Sequence, residues 1–275
     1  TMKKYILLLI IPFLCLSQKN YQKNNHVYIN TKETRKNYEV EYEFKNHKDE
    51  LQRLIITYNK KSSDNDINKF GVPDWMFDSY TVTPQINKQR AQILQDGLYK
   101  KEGNKLTRDY NAIVNYYRGS LKNISDYLIK YLKKNKINSR ENRINIAMKF
   151  VQDIPYGVPV EYKTEKSKYG GYKYNDGVFA PIEVLIKGYG DCDSKTFLFV
   201  SILSYMINPD DILFVKGDNH LLSAVKNTGK ISNGQYFNHE GESYYICETA
   251  GPGRPMFGKK NTNLGSAYLY PLEIK

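Results

Sequence analysis

GYGDCDSKTFLFVSILSYM, running from Gly188 to Met206, sets a cysteine where a loop passes into a helix. Gly188 and Gly190 permit a tight approach of the chain, and Asp191 or Asp193 supplies an oxygen for the orphan N–H groups of a first helical turn. Phe197, Leu198, Val200, Ile202, Leu203 and Met206 make nearly all of the following segment apolar, the mark of a helix buried all round. Cys192 therefore stands on the first turn of a core helix. Unpaired N–H groups and the positive end of the helix dipole favour a thiolate there, so a nucleophilic thiol of lowered pKa on a rigid support is expected. A cysteine beside an apolar helix is by itself more often packing than chemistry; the residues that follow it carry the argument.

His220 in KGDNHLLSAV and Glu248 in YYICETAGP each open or end a run that reads as strand. Nucleophile, base and orienter thus occur in the order Cys192, His220, Glu248. Thiol chemistry needs this set because imidazole must accept the thiol proton while a carboxylate holds its tautomer and orientation. Zinc would suit Cys192, Cys247, His220 and His239, but no pair among them has ligand spacing, so no metal and no cofactor is expected. The chain has no G-x-S-x-G elbow, Walker loop or H-E-x-x-H, and Gly251-Pro252-Gly253 opens no helix, which makes it a turn.

At Gly190-Asp191-Cys192-Asp193-Ser194-Lys195, His220 and Glu248-Thr249 the chain resembles the transglutaminase-like superfamily, whose core is related to papain-type cysteine proteases. Members commonly show GDC-[DE]-x-[KS]-x-x-L, then a His opening a strand, then an acid ending the next. The resemblance covers the C-terminal part of the chain well and the N-terminal part poorly. It implies an α+β core with helices ahead of a buried nucleophile helix, then an antiparallel sheet, and it implies catalytic roles for Cys192, His220 and Glu248. Three departures bear on protein crosslinking more than on thiol chemistry. Asp is usual where this chain has Glu248, an aromatic commonly follows the His where Leu221-Leu222 stand, and the sole Trp is Trp75, far from the nucleophile. The implied activity is cleavage or transfer of a peptide, protein or cell-wall amide through a thioester. A different class of wall peptidase also runs Cys then His but needs a polar third residue soon after, where Leu221 to Val225 offers only Ser223. The alternative outside enzymes is a non-catalytic binding or assembly module that retains the fold.

Read from its start, the chain has Lys3 and Lys4 before an apolar run, Tyr5 to Leu16, too short to span a membrane but suited to a secretory signal over residues 1–17. Export to a periplasmic or extracellular space is expected, with no membrane span left after signal removal; lipid attachment at Cys15 ranks second. The formal charge of +12 falls to +10 without the two lysines and is spread evenly. Unaccompanied by any nucleic-acid-binding motif, it excludes a nucleic-acid partner from the expectations.

Residues 18–84 read as a leader and a small β appendage. Lys19 to Thr34 is polar and expected to be flexible, Tyr38 to Phe44 alternates with period two, and Leu51 to Tyr58 completes a hairpin. Ser62 to Asn68 reads as an acidic loop, because calcium-loop counting from Asp64 puts Lys69 where Gly is required. Trp75, Met76, Phe77 and Tyr80 would dock the appendage. Residues 85–275 read as the core domain. Its helices centre on Ile86 to Leu94, Ile124 to Leu132 and a segment capped by Ser139 that ends before Pro155. The run to Pro181, with Tyr162, Tyr169, Tyr172 and Tyr174, reads as an irregular flap. Pro181 to Lys187 is a short helix ended by Gly188. Ile212 to Val215, His220 to Val225, Gln235 to Phe237, Ser243 to Thr249 and Tyr268 to Tyr270 form the sheet. Strand alternation puts Glu248 on the Cys192 side and Cys247 on the other, so the two cysteines should stay unbridged.

Overall fold

The computed structural model describes residues 21–77, 83–103, 105–167, 170–229, 234–259, 264 and 266–275. The signal segment 1–17, Tyr80 and Tyr169 lie outside them. The described chain opens with an antiparallel sheet of β1 (Tyr28–Glu33), β2 (Asn37–Lys45) and β3 (Leu51–Asn59) in that order. Alternation builds the β2–β3 pair: Val40 faces Ile56 and Tyr42 faces Leu54 across the ladder, all four buried. The expectation of a flexible stretch up to Thr34 fails at β1. YINTKE offers almost no apolar face, but its backbone pairs with β2 from Tyr28↔Glu43 to Glu33↔Tyr38.

The acidic loop expected at Ser62 to Asn68 is a helix, α1 (Lys60–Lys69), begun by Asn59, whose side chain accepts from the Ser62 N–H at 3.0 Å. Only Ser63 of it is buried, so no hydrophobic stripe announced it. After β4 (Val72–Pro73) a single 3-10 turn, Asp74–Phe77, buries Met76 and half-buries Trp75 against the core. Then come α2 (Pro84–Gln95), capped by Thr83 with Pro at its start, and a hairpin of β5 (Tyr99–Glu102) and β6 (Lys105–Arg108). Helix α3 (Tyr110–Lys134) extends well before Ile124, because Ile113, Val114, Tyr117 and Leu121 continue its buried stripe back to the Asp109 cap. Ser139 caps α4 (Arg140–Gln152) as expected.

The flap expectation is corrected too. Strands β7 (Tyr162–Lys166) and β8 (Tyr172–Tyr174) join β4 in a second sheet of order β4-β8-β7. Tyr162 and Tyr174 stack at 5.0 Å, and the buried Lys163 ammonium meets Glu183 at 2.8 Å, fastening this hairpin to α5 (Pro181–Lys187). Gly188 ends α5 at φ 73°, a left-handed turn natural to glycine.

Helix α6 (Cys192–Leu203) is buried from Ser194 to its end and packs against α3, α4, α5 and the large sheet. That sheet has the order β11-β12-β10-β9-β13, from β9 (Ile212–Lys216), β10 (Leu221–Lys226), β11 (Tyr236–His239), β12 (Glu242–Cys247) and β13 (Tyr268–Pro271), all antiparallel. Together these make an α+β protein. One continuous core runs from Val40, Tyr42 and Phe44 of β2 through α3 to α6 and onto the near face of the large sheet. A smaller cluster, including Leu213, Leu222, Ala224, Tyr244 and Ile246, lies on the sheet's other face. Among the described residues no helix is long and apolar enough to cross a membrane.

Candidate active site

The approach to Cys192 is set by close packing. A Cβ on Gly190 would stand 3.1 Å from Ser194 Cβ and 3.3 Å from Val184, tighter than ordinary contact, so glycine eases the close approach of the segment before the helix to α5 and α6. Asp191 is the N-cap, accepting from the Ser194 N–H at 3.0 Å and from the Ser194 hydroxyl, whose oxygen in turn accepts from Phe179 N–H at 2.8 Å. One turn on, Lys195 has no exposed surface, and its ammonium donates to the carbonyls of Gln152 at 3.3 Å, Ile154 at 2.6 Å and Ala250 at 2.5 Å. It thereby ties α6 to the end of α4 and to the loop after β12.

On the sheet side, Gly217 N–H donates to His220 O at 2.8 Å and closes the turn that delivers His220 just ahead of β10. The next residue is held against α6: Thr196 Oγ1 donates to Leu221 O at 3.0 Å, and the Leu221 N–H lies against the Cys192 sulfur. His220 Nε2 meets Glu248 Oε2 at 2.7 Å. Glu248 is itself oriented, since Ala250 N–H donates to its Oε1 at 2.9 Å and Gln152 Nε2 donates to its backbone carbonyl at 2.7 Å. The structure therefore brings His220 and Glu248 into contact and sets both beside the first turn of α6.

Strand β12 turns its faces otherwise than expected for Glu248 and Cys247. Cys247, fully buried, belongs to the core on the α6 side, with Tyr245, whereas Tyr244 and Ile246 face the other way. Strand β12 ends at Cys247, and Glu248 reaches His220 from beyond the ladder, where alternation no longer governs direction. Cys192 and Cys247 are nevertheless both free.

The expected lowering of the Cys192 pKa is also overturned. Burial pushes the thiol up, and the Asp193 and Asp191 carboxylates push it further, while the Leu221 N–H pulls the other way without prevailing. The helix end is outweighed because burial, the largest effect, and two flanking carboxylates act against a half-charge. Asp191 is itself raised to about 6 by burial and by Asp193. For His220 burial opposes charge, but the hydrogen bond and charge of Glu248, with Asp193 and Asp191 behind, outweigh it and raise the pKa. Burial and the carboxylates thus favour the protonated Cys192 thiol, while Glu248 favours the protonated His220 ring.

Two neighbours, Arg108 and Tyr156, lie outside the residues singled out from the sequence, and a third, Lys195, stood there only as a member of the motif. Arg108 reaches Asp193 Oδ2 at 3.2 Å with one guanidinium nitrogen and Asp176 Oδ2 at 3.0 Å with the other, but it lies on a hairpin without a clear strand pattern. Burial raises the Tyr156 pKa, and the neighbouring Cys192, Asp191, Asp193 and Glu248 raise it further. Lys195 left a signal as a lysine one turn into a helix that is apolar from Phe197 to Val200. Of the four residues weighed for zinc, Cys247 is in the core and His239 sits on β11 beside Glu240. Among the described residues, the one group of side chains close enough to hold a cation is Asp191, Cys192 and Asp193, with ligand atoms within 4.8 Å of one another. No family model, curated protein or solved structure matches the chain.

Proposed function

We propose that the protein is an exported cysteine hydrolase or acyltransferase with a papain- and transglutaminase-like core, acting on a peptide, protein or cell-wall amide. The observation that carries this reading is the 2.7 Å His220–Glu248 contact beside the turn that bears Cys192. Glu248 occupies Nε2, which leaves Nδ1 as the ring atom to take the thiol proton. The sulfur then attacks the amide carbonyl, and a C–S bond forms as the carbonyl π pair moves to oxygen. The Cys192 N–H, on the first turn of α6, supports that oxyanion, and the Tyr156 hydroxyl is the second donor in this reading. His220 returns its proton to the departing amine as the C–N bond breaks. Water or an amine, deprotonated by His220, resolves the thioester and restores the thiol.

One observation favours the second reading, a non-catalytic module: burial and two carboxylates keep the thiol protonated at rest. The discriminating experiment measures release of new amino groups from peptidoglycan fragments and from a peptide-amide library. Cys192→Ala and His220→Ala should each remove nearly all turnover, with little further loss when combined. Turnover that survives Cys192→Ala would exclude the thioester route, and no turnover by the parent protein on either set would favour the module.

A further inference from the structure

A cavity of about 190 Å³ opens on the Arg108 side of the first turn of α6. Tyr99, Tyr110, Tyr174 and Tyr270 wall it, and Asn175 lines it. Its other boundaries belong to elements that build the site. Arg108, also in its wall, reaches Asp193 at 3.2 Å, Tyr110 packs on Phe197 of α6 at 5.5 Å, and Lys216 pairs in register with Leu221, the residue after His220.

Asn175 is the unusual member. It is 3 % exposed, yet neither its side-chain Nδ2 nor its Oδ1 has a hydrogen-bond partner. Its backbone is accounted for, with N–H donating to Glu161 O at 2.9 Å and O accepting from Val178 N–H at 3.2 Å, so the side chain is not needed to close the turn. A buried amide left unpaired is costly, and such a group recurs where a ligand completes it. One missing acceptor and one missing donor on a single carboxamide are complemented by another amide edge, one C=O beside one N–H. The volume lies below that of pockets for whole drug-sized ligands and suits a single residue.

We infer that this cavity is a specificity pocket in which Asn175 pairs with an amide edge of a substrate residue flanking the scissile bond. This rests on the cysteine-hydrolase reading of Cys192. The edge has two sources, the main chain of an extended peptide residue or a side-chain carboxamide, and the tyrosine rings supply the walls around it.

The test compares second-order alkylation of Cys192 by acetyl-dipeptidyl chloromethyl ketones with its reaction with methyl methanethiosulfonate, a small reagent that has no amide. The dipeptides carry Gln, Glu or Leu, with and without backbone N-methylation. Asn175→Ala should lower the ratio of peptidyl to thiosulfonate rates about tenfold, the worth of roughly one hydrogen bond. Loss of a Gln preference on substitution assigns the pocket to the carboxamide. Loss of sensitivity to N-methylation assigns it to the main chain. Because the amide makes no bond in the free protein, the thermal midpoint of Asn175→Ala should hold or rise, and Asn175→Asp, of equal size, provides a second variant that should invert the preference toward cationic residues. Unchanged ratios in both variants, with Cys192 still open to the thiosulfonate, would overturn the pocket alone. A Cys192 inert to the thiosulfonate would overturn the underlying reading and the pocket with it.

Discussion

Cys192 is flanked by Asp191 and Asp193, and that negative setting gives its chemistry a pH signature. With the thiol protonated at rest, alkylation by iodoacetamide should climb through the raised pKa of His220 with no plateau on the acidic side of neutrality. His220→Ala should erase that step and leave only the alkaline thiolate titration. A flat rate between about pH 5 and 7 would instead mean a preformed thiolate–imidazolium pair. Cys247, without exposed surface and with its thiol pushed up by burial, should stay unlabelled while the protein is folded.

Asp191 allows a stability prediction with a definite sign. Its pKa rises from 3.8 to about 6 on folding, so between those values the folded state holds a proton that the unfolded chain has lost. Stability from this group is complete below the unfolded value and falls as pH rises toward 6. The raised His220 acts in the same direction, since its contribution is complete below its unfolded pKa and is lost as pH rises through the folded one. Asn caps helices as well as Asp does, so Asp191→Asn should match the parent protein near pH 4 and exceed it by about 1 to 3 kcal/mol at pH 7. Urea unfolding at the two pH values measures it; an Asp191→Asn variant weaker at pH 7 would contradict this account.

Among the elements, α5 and the β7–β8 hairpin depend on one buried ion pair, Lys163 with Glu183. Removing one partner strands a charge, so Glu183→Gln should cost about 3 to 5 kcal/mol, whereas Lys163→Met with Glu183→Leu should cost less than either single change. Equal losses in single and double variants, followed by denaturant unfolding, would show that the pair does not govern this joint. The legibility of the elements followed their patterns. The ends of α4 and α5 were readable because Ser139, Pro181 and Gly188 mark them chemically, and α6 because its apolar residues leave no polar face. By contrast β1, α1 and β5–β6 are polar and shallowly buried, held by ladders and caps that leave no periodicity. The site divides the same way. Cys192, His220 and Glu248 were legible from residue type and order. The cage of Lys195, the Arg108 fork and the unpaired Asn175 were not, because their surroundings come from segments far apart in the chain, such as Gln152 with Ala250 and Asp176 with Asp193.

Over the whole molecule, the N-terminal sheet and the site share one framework. Buried Asp153, at the end of α4, accepts from His26 Nε2 at 2.8 Å, from the Lys45 N–H at 2.9 Å and from Arg254, which also donates to the carbonyls of Lys45 and Asn46. The Tyr42 hydroxyl donates to Phe150 O at 2.7 Å, inside the same core. Through Asp153 and Arg254 the β2 strand is linked to the loop that begins at Glu248, and through Lys195 that loop is linked to α6. Two buried polar junctions, at Asp153 with Arg254 and at Lys195, thus join β2, the loop after β12 and α6 around a continuous apolar core.

Mass mapping after brief exposure to p-nitrophenyl acetate reports a nucleophile at Cys192 without requiring the natural substrate. One acetyl group per chain should form on Cys192 as a thioester, in a burst of p-nitrophenolate, and form roughly 10²- to 10⁴-fold more slowly in His220→Ala. Acetylation confined to lysines, or Cys192 acetylated equally fast in His220→Ala, would contradict a Cys192 nucleophile served by His220.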